Sequence, residues 1–253
     1  MTASRVLLLG DRPVCEEIIH WLSAKGDDVM RFTDALEDYS TVSVVIECIA
    51  DAALRKSSLE RVEAVIPEHA LVYVSGLNAY VTEVASWFKH PQRVCGFQPW
   101  LIASMDVLEL VRPLQMEQDE LWKRAQSFWQ ERGKQIESIA DYPGMVFPRI
   151  LAMIVNEAAF ALGEAVASAS DIDIAMKFGT NYPLGPFEWA DQIGLDEILS
   201  VLQGMHRYLG EDIYRPAPLL QKLVYAKWLG ESSGRGFYSY LEGSKQDIGG
   251  GQQ

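Results

Sequence analysis

Cysteine is scarce in this 253-residue chain, and the few cysteines present exclude two classes of protein. Cys15, Cys48 and Cys95 are odd in number and far apart in sequence. A disulfide-stabilised secreted domain needs more cysteines at closer spacing, and a structural zinc site needs pairs such as C-x-x-C. We therefore interpret all three as reduced thiols, predict no metal site, and expect a cytoplasmic protein.

Basic residues are also few: 22 Lys and Arg stand against 35 Asp and Glu, which gives a formal net charge of −13. Such a charge repels phosphate groups, so we expect neither nucleic acid nor an anionic membrane as a partner. Apolar runs long enough to cross a bilayer are missing, and no secretory signal is evident at the N-terminus. A polyanionic ligand would need a local cluster of Lys and Arg.

The first half of the chain alternates β-branched or apolar runs with segments of helical period. This alternation is typical of a largely parallel, doubly wound sheet with helices on its faces. We predict an α/β domain over residues 1–141. Its expected strands are 5–10, 28–32, 41–49, 70–74, 93–97, 107–111 and 135–139, and its expected helices are 14–24, 52–64, 77–88 and 117–132.

After the Tyr142-Pro143-Gly144 turn the pattern becomes helical, so we place a domain boundary there. Residues 147–167 form a long and mostly apolar segment, which predicts a helix buried on most sides. The helical domain is expected to span 142–241. Three consecutive glycines in the remaining segment, 242–253, predict a flexible tail.

Three stretches carry a family resemblance: DIDIAMKFGTNYPLGPFEWADQIGLD at 171–196, YPGMVFPRI at 142–150 and GRGFYSY at 234–240. They resemble the helical C-terminal domain of the 3-hydroxyacyl-CoA dehydrogenases. The resemblance implies an α/β Rossmann-like N-terminal domain followed by an all-α C-terminal dimerisation domain. It also implies NAD as cofactor, an acyl-CoA-type ligand, and a homodimer formed through the helical domain.

The glycine motif that holds the cofactor in such folds is incomplete. A dinucleotide turn uses G-x-G-x-x-G, in which the second glycine lets the backbone approach the pyrophosphate. Here the turn begins at Gly10, Arg12 stands at the second glycine, and Pro13 removes a backbone donor. We therefore expect weak or absent NAD binding. The alternative is that the Arg12 guanidinium pairs with a phosphate directly.

Three more residues are candidates for cofactor binding by resemblance. Asp34 follows the second predicted strand, where an acid would hold the adenine ribose, and the alternative is a turn acid. Glu47 and Lys56 match a family acid and lysine near the nicotinamide, and the alternative for Lys56 is a solvated helix face. Almost no chain separates Asp34 from the strand that begins at Thr41, whereas the family places a pair of helices in this interval.

The catalytic segment by resemblance is CGFQPWLIASMDVLELV at 95–111. In the family a histidine here abstracts the hydroxyl proton and a glutamate orients its ring. Gln98 stands at the histidine position, and Glu109 matches the glutamate if one residue is deleted between them. Glutamine does not titrate and cannot act as a general base. The family's helper asparagine falls on Pro148, and its serine falls near Leu77-Asn78.

These replacements favour a 3-hydroxyacyl-CoA dehydrogenase-like protein that is catalytically impaired or inactive and retains its fold and dimerisation. One alternative is an active NAD-dependent oxidoreductase on a 3-hydroxyacyl-CoA or related hydroxy acid of fatty-acid metabolism. Another is a regulatory or scaffold partner of an active relative. None of the histidines offers an obvious replacement base; they are His20, His69, His90 and His206.

Overall fold

A computed structural model describes residues 3–10, 12–33, 38–49, 51–240 and 246–247 of the chain. Asp34, one of the predicted cofactor residues, lies outside these ranges. The chain forms two compact units, Met1–Val146 and Phe147–Gln253. The first unit extends beyond the predicted end at 141 because Gly144 N donates to Gly76 O at 3.2 Å and Val146 N donates to the Glu109 carboxylate at 2.8 Å.

The first unit is built on a sheet with the order β2-β1-β3-β4-β5-β6-β7. Neighbouring strands are parallel except for β5 and β6, which are antiparallel. The strands are β1 Arg5–Leu9, β2 Asp28–Arg31, β3 Val44–Glu47, β4 Leu71–Ser75, β5 Val94–Phe97, β6 Val107–Val111 and β7 Gln135–Ile139. The predicted fold class is confirmed: a mainly parallel Rossmann-like domain comes first.

Four helices accompany this sheet: α1 Pro13–Ala24, α2 Ala52–Glu63, α3 Val81–Ala85 and α4 Asp119–Gln130. The helix predicted over 77–88 is much shorter. It begins only at Val81 because Asp141 caps it there, accepting from Val81 N at 2.7 Å and from Thr82 N at 2.8 Å. On one face of the sheet, α4 packs Trp129 against Tyr73 and Phe97, with ring centroids 5.3 and 5.7 Å apart.

The second unit is helical, as predicted. Its helices are α5 Phe147–Gly163, α6 Ala169–Thr180, α7 Pro186–Ile193, α8 Leu195–Leu209 and α9 Pro218–Tyr225. Helix α5 ends before the predicted residue 167, and Ala165 beyond it has a positive φ of 58°. Two short strands differ from the prediction: β8 Tyr238–Ser239 pairs antiparallel with β9 Gln246–Asp247, which lies in the predicted flexible tail.

Two buried carboxylates join the helices of the second unit to the segment before β8. Asp173 accepts from Phe187 N at 2.9 Å and from the Tyr238 hydroxyl at 2.6 Å. Asp191 accepts from Phe237 N at 2.8 Å, Tyr238 N at 2.9 Å and the Tyr240 hydroxyl at 3.0 Å. This network links the stretches 171–196 and 234–240, because each supplies hydrogen-bond partners for the other.

Glycines make room for these carboxylates. A Cβ at Gly185 would lie 2.2 Å from the Asp173 carboxyl carbon, and a Cβ at Gly236 would lie 2.0 Å from an Asp191 oxygen. Burial raises the pKa of Asp191 to about 6, although hydrogen bonds from Phe237, Tyr238 and Tyr240 act in the opposite direction.

Candidate functional site

The carboxyl ends of β1, β3, β4 and β5 meet at one edge of the sheet because these strands are parallel. The chain leaves β1 for β2 on one side, and β3 lies on the other side of β1. This reversal is the topological switch point, where open α/β sheets bind their ligands. The predicted cofactor residues of the turn after β1 therefore lie at the expected edge.

Gly10 makes the turn after β1 possible. Its φ is +129°, and a Cβ there would lie 2.8 Å from Cys15 Sγ and 3.0 Å from Cys48 O. Helix α1 then begins at Pro13, with Arg12 at the N-cap and no side-chain cap bond. Helix N-termini bind phosphates through backbone N–H groups, and proline has none. The turn thus retains its first glycine but offers fewer backbone donors to a pyrophosphate.

A cleft of about 280 Å³ opens beside this turn. Residues from the ends of β1, β2 and β3 and from α2 line it: Leu9, Gly10, Phe32, Ile49, Leu54 and Ser58. Its mainly apolar walls suit an adenine ring. Arg31 lies nearby, where it donates to Gly10 O at 2.8 Å and forms an ion pair with Glu16. The cleft therefore fits the adenosine half of a dinucleotide better than the turn fits the pyrophosphate.

Glu47 forms an internal ion pair, and its predicted contact with a cofactor stays a prediction. Its side chain is fully buried, and its carboxylate lies 2.8 Å from Arg55 Nη2. It also accepts from Ile49 N at 2.6 Å and from Ser75 N at 3.2 Å. Arg55 in turn donates to Ser75 O at 2.6 Å and Asn78 Oδ1 at 3.0 Å. The pair thus connects β3, α2 and the segment after β4.

Sequence reasoning did not single out Arg55, the buried partner of Glu47. The available signal was Glu47 itself, because an acid at the end of a buried strand requires a cation. Lys56 does lie in solvent: its side chain is 56% exposed and its Nζ is 4.0 Å from Glu60. Exposed pairs of this kind contribute little to stability. Its role near a nicotinamide stays a prediction.

The two predicted catalytic positions lie side by side. Strands β5 and β6 pair Gly96 with Val111 and Phe97 with Leu110. One step further, Gln98 N donates to Glu109 O at 3.1 Å, so the two residues are cross-strand neighbours. Both side chains are buried, with Gln98 3% and Glu109 9% exposed. The structure therefore brings together the residues that the sequence singled out.

Gln98 and Glu109 differ in their hydrogen bonding. A Glu109 carboxylate oxygen accepts from Val146 N at 2.8 Å. Among the residues that the structure describes, buried Gln98 Nε2 has no hydrogen-bond partner. Buried amides nearly always find partners, so an unpaired one needs an explanation. The amide can donate or accept a hydrogen bond, but it cannot take up a proton from a substrate.

Unusual backbone flanks this pair on both sides. Leu101, three residues after Gln98, has a φ of +54°, and Met145, beside Val146, has a φ of +57°. Side chains are disfavoured in this left-handed region, and such strain concentrates at functional sites. The 101–106 turn is held by Lys134, whose Nζ donates to the carbonyls of Ile102 and Met105. Burial lowers the pKa of Lys134.

The histidines lie elsewhere. His69 and His90 precede β4 and β5, so they are at the opposite edge of the sheet. His20 is exposed on α1, and His206 lies on α8 of the second unit. Within the described ranges, no group of three or more His, Cys, Asp and Glu residues is arranged to hold a metal ion. None of the helices in those same ranges has the length and apolar character needed to cross a membrane.

The sheet order, the switch-point cleft and the following helical unit define a two-domain Rossmann-type protein. The family model described as "3-hydroxyacyl-CoA dehydrogenase, NAD binding domain" matches residues 24–141. The model described as "3-hydroxyacyl-CoA dehydrogenase, C-terminal domain" matches residues 144–240. The chain belongs to the 3-hydroxyacyl-CoA dehydrogenase family.

Individual proteins of this family are similar to the chain in sequence and in structure. The chain is 36% identical over 217 residues to a probable 3-hydroxybutyryl-CoA dehydrogenase of Bacillus subtilis (strain 168), covering 84% of this chain and 75% of that protein. It is 46% identical over 104 residues to 3-hydroxyadipyl-CoA dehydrogenase of Escherichia coli (strain K12), covering 41% of this chain and 22% of that protein. The crystal structure of (S)-3-hydroxybutyryl-CoA dehydrogenase from Ralstonia eutropha has a TM-score of 0.75 at 25% identity, covering 95% and 100% of the two chains.

Proposed function

We propose that this chain is a 3-hydroxyacyl-CoA dehydrogenase-like protein whose oxidation reaction is lost or strongly impaired, while its fold and dimerisation are retained. The observation that carries the proposal is Gln98. It occupies the end of β5 beside Glu109, where the family resemblance requires a proton acceptor. A buried amide in that position cannot remove the hydroxyl proton.

The size of the loss follows from the chemistry. A positioned general base typically accelerates a reaction by about 10² to 10⁴-fold. Pro148, at the position of the family's helper asparagine, has no side-chain hydrogen-bonding group either. It lies in the first turn of α5. The proposal therefore rests on two replaced positions, each of which removes a polar group from the reaction.

The cofactor site supports weak NAD binding. The match to the NAD-binding family model begins at residue 24, after the turn at Gly10. In that turn Arg12 and Pro13 replace groups that would approach the pyrophosphate. Phe32, Leu54 and Ser58 remain as the adenosine end of the cleft. NAD, where bound, would accept the hydride; this chain's own residues contribute a cleft for its adenosine.

A second candidate function is supported by Glu109. Its carboxylate is the acidic group beside Gln98, and it could accept a proton in place of a histidine. The chain would then be an active NAD-dependent oxidoreductase on a hydroxyacyl thioester. We place this second because Glu109 already accepts a hydrogen bond from Val146 N at 2.8 Å.

One experiment separates the two functions. NADH formation from 3-hydroxybutyryl-CoA and NAD is measured for the wild-type chain and for Glu109→Gln, and NADH binding is followed by tryptophan fluorescence. We expect background turnover for both proteins and little saturable quenching. Robust wild-type turnover that Glu109→Gln abolishes would establish the second candidate and reject the first.

We also propose a homodimer formed through the helical unit. Ile174 and Phe178 lie one turn apart on α6, and their exposed fractions are 50% and 86%. Ile150 on α5 is 55% exposed. Apolar side chains that are at least half exposed and form one contiguous patch typically mark a surface at which proteins associate. A second copy is favoured because twofold dimers are the commonest soluble assembly.

A further inference from the structure

We propose that the first unit binds an organic ammonium ion in a cavity between α3 and the loop that follows β6. The cavity has a volume of about 560 Å³, and its lining residues all belong to this unit. They include Tyr80, Thr82, Glu83, Leu114, Gln115 and Asp141. Neither Gln98 nor Gly10 lines the cavity, so it is distinct from the candidate site of the proposed function.

Hydrogen bonds fix the walls of this cavity. Leu114 N donates to Thr82 Oγ1 at 3.2 Å, and Gln115 Nε2 donates to Thr82 O at 2.9 Å. Asp141 accepts from Val81 N at 2.7 Å and from Thr82 N at 2.8 Å. The cavity is therefore formed before a ligand arrives, which lowers the entropic cost of binding.

One polar atom at the cavity lacks a hydrogen-bond donor. Gln115 Oε1 is buried, and within the described ranges it has no hydrogen-bond partner. The orientation of the amide is fixed, because only its nitrogen can donate to Thr82 O. Buried acceptors nearly always have a partner, so this one needs an explanation. A ligand that carries N–H groups can supply the donor.

The charge of the lining is negative. Glu83 and Asp141 provide two carboxylates, and the described residues that line the cavity include no Lys, Arg or His. Arg112, in the loop after β6, donates to the backbone of that loop and to Asp119. The formal net charge of −13 adds a general attraction for cations. The cavity therefore favours an ammonium ion over a neutral or anionic group.

The apolar part of the lining suits the carbon skeleton of such a ligand. Tyr80 lines the cavity, and its ring centroid lies 6.0 Å from that of Tyr142. Leu114 is 81% exposed although its backbone N–H is bonded to Thr82. Aromatic faces attract ammonium ions, and an exposed leucine gains from contact with an apolar group. The ligand class is thus a primary amine with an aromatic or aliphatic body.

The test is a ligand-observed NMR titration with 2-phenylethylammonium and its neutral counterpart, 2-phenylethanol. The two probes share the aromatic body and differ in the terminal group. For the wild-type chain we expect the ammonium probe to bind with a Kd on the order of 1 mM, as is usual for so small a ligand. It should bind about tenfold more tightly than the alcohol, the ratio that one charge-assisted hydrogen bond gives.

Glu83→Gln removes a carboxylate and keeps the shape of the side chain, so it should abolish the preference for the ammonium probe. Glu131→Gln is the matched control, because it makes the same change of charge at an exposed residue of the same unit. It should keep the tenfold preference. Thermal melting checks that both variants are folded.

A second pair of variants tests the sign of the electrostatic effect. Leu114→Arg and Leu114→Glu place opposite charges at an exposed position beside the cavity. The arginine should weaken binding of the ammonium probe, and the glutamate should strengthen it. This pair keeps the proposal testable if Glu83→Gln does not fold.

Four results would overturn the proposal: no saturable binding of the ammonium probe, equal binding of the two probes, a tenfold preference that survives in Glu83→Gln, or an equal loss in Glu131→Gln. The last result would assign the attraction to net charge instead of this cavity. None of the measurements involves NADH or a thioester, so the outcome is independent of the proposed function.

Discussion

Asp191 in the helical unit and Gln98 in the sheet unit are both buried polar residues in family motifs, yet their surroundings are opposite. Asp191 accepts hydrogen bonds from Phe237 N, Tyr238 N and the Tyr240 hydroxyl. Gln98 Nε2 has no hydrogen-bond partner within the described ranges. A fully bonded polar group fixes a fold, whereas an unpaired one costs stability unless a ligand completes it.

The contrast separates the residues that hold the fold of the helical unit from the residues at the candidate site of the sheet unit. The helical unit combines buried carboxylates with glycines that make room for them and tyrosines that donate hydrogen bonds to them. The sheet unit has its strands and the turn at Gly10, and the family resemblance places Gln98 and Arg12 at positions of the catalytic histidine and the second glycine. Folds and sites are generally separable, and the proposed function is that they have separated in this molecule.

The largest effect is expected for Asp191→Ala. The change leaves three donors without an acceptor, and each buried unsatisfied group costs about 1–3 kcal/mol. We expect a loss of roughly 3–6 kcal/mol in the free energy of unfolding, measured by urea denaturation. Asp212→Ala, at an exposed residue of the same unit, is the control and should change stability by less than about 0.5 kcal/mol. A similar loss in both variants would contradict a special role for Asp191.

A comparable but smaller loss is expected in the sheet unit for Arg55→Met. It removes one partner of the buried pair with Glu47 and leaves an uncompensated carboxylate, which typically costs about 3–5 kcal/mol. The double variant Glu47→Met with Arg55→Met should recover much of that stability, because no charge then remains buried. If the double variant is less stable than Arg55→Met alone, the pair is not the source of the effect.

The next effect concerns assembly. Phe178→Glu places a charge on the exposed face of α6 and should weaken the proposed dimer by about 2–4 kcal/mol, as expected for a central interface residue. Light scattering during gel filtration should show a wild-type dimer and a Phe178→Glu monomer at micromolar concentration. Leu114→Glu, at an 81% exposed residue of the sheet unit, should remain dimeric. A monomeric wild-type chain would reject the interface.

The smallest effect is the pH dependence contributed by Asp191. Its folded pKa is raised to about 6 from an ordinary 3.8. Between these pH values the folded state keeps a proton that the unfolded state has lost. The contribution of Asp191 to the free energy of unfolding therefore increases as the pH falls below 6, and it is lost as the pH rises through 6. The advantage of the wild type over Asp191→Asn should be larger at pH 4.5 than at pH 7, by on the order of 2 kcal/mol. A constant advantage would show that Asp191 does not titrate in this range.

Much of the fold was predictable because its signals are local. The strands predicted at 107–111 and 135–139 match β6 and β7 of the structure residue for residue. The helix at 77–88 was overpredicted because its start depends on Asp141, a distant residue that no local pattern reveals. The short pairing of Gln246–Asp247 with Tyr238–Ser239 was missed because two-residue strands have no periodicity.

The site was predictable in part. Gln98 and Glu109 were singled out together by the family resemblance, and the structure places Gln98 directly after β5 and Glu109 within β6. The Glu47–Arg55 pair was not foreseen, since a helix of low amphipathic character gives no sign that one arginine points inward. Whether a side chain such as Arg55 is buried depends on tertiary packing, which local sequence patterns do not encode.

The most direct test of the central claim is NADH formation from 3-hydroxybutyryl-CoA, measured between pH 5 and 9 for the wild-type chain and Gln98→His. We predict background rates for the wild type across the range, because the end of β5 carries no titratable base. Gln98→His should also remain near background, since Pro148 and the altered turn after Gly10 are unchanged. A bell-shaped wild-type profile well above background would contradict the account.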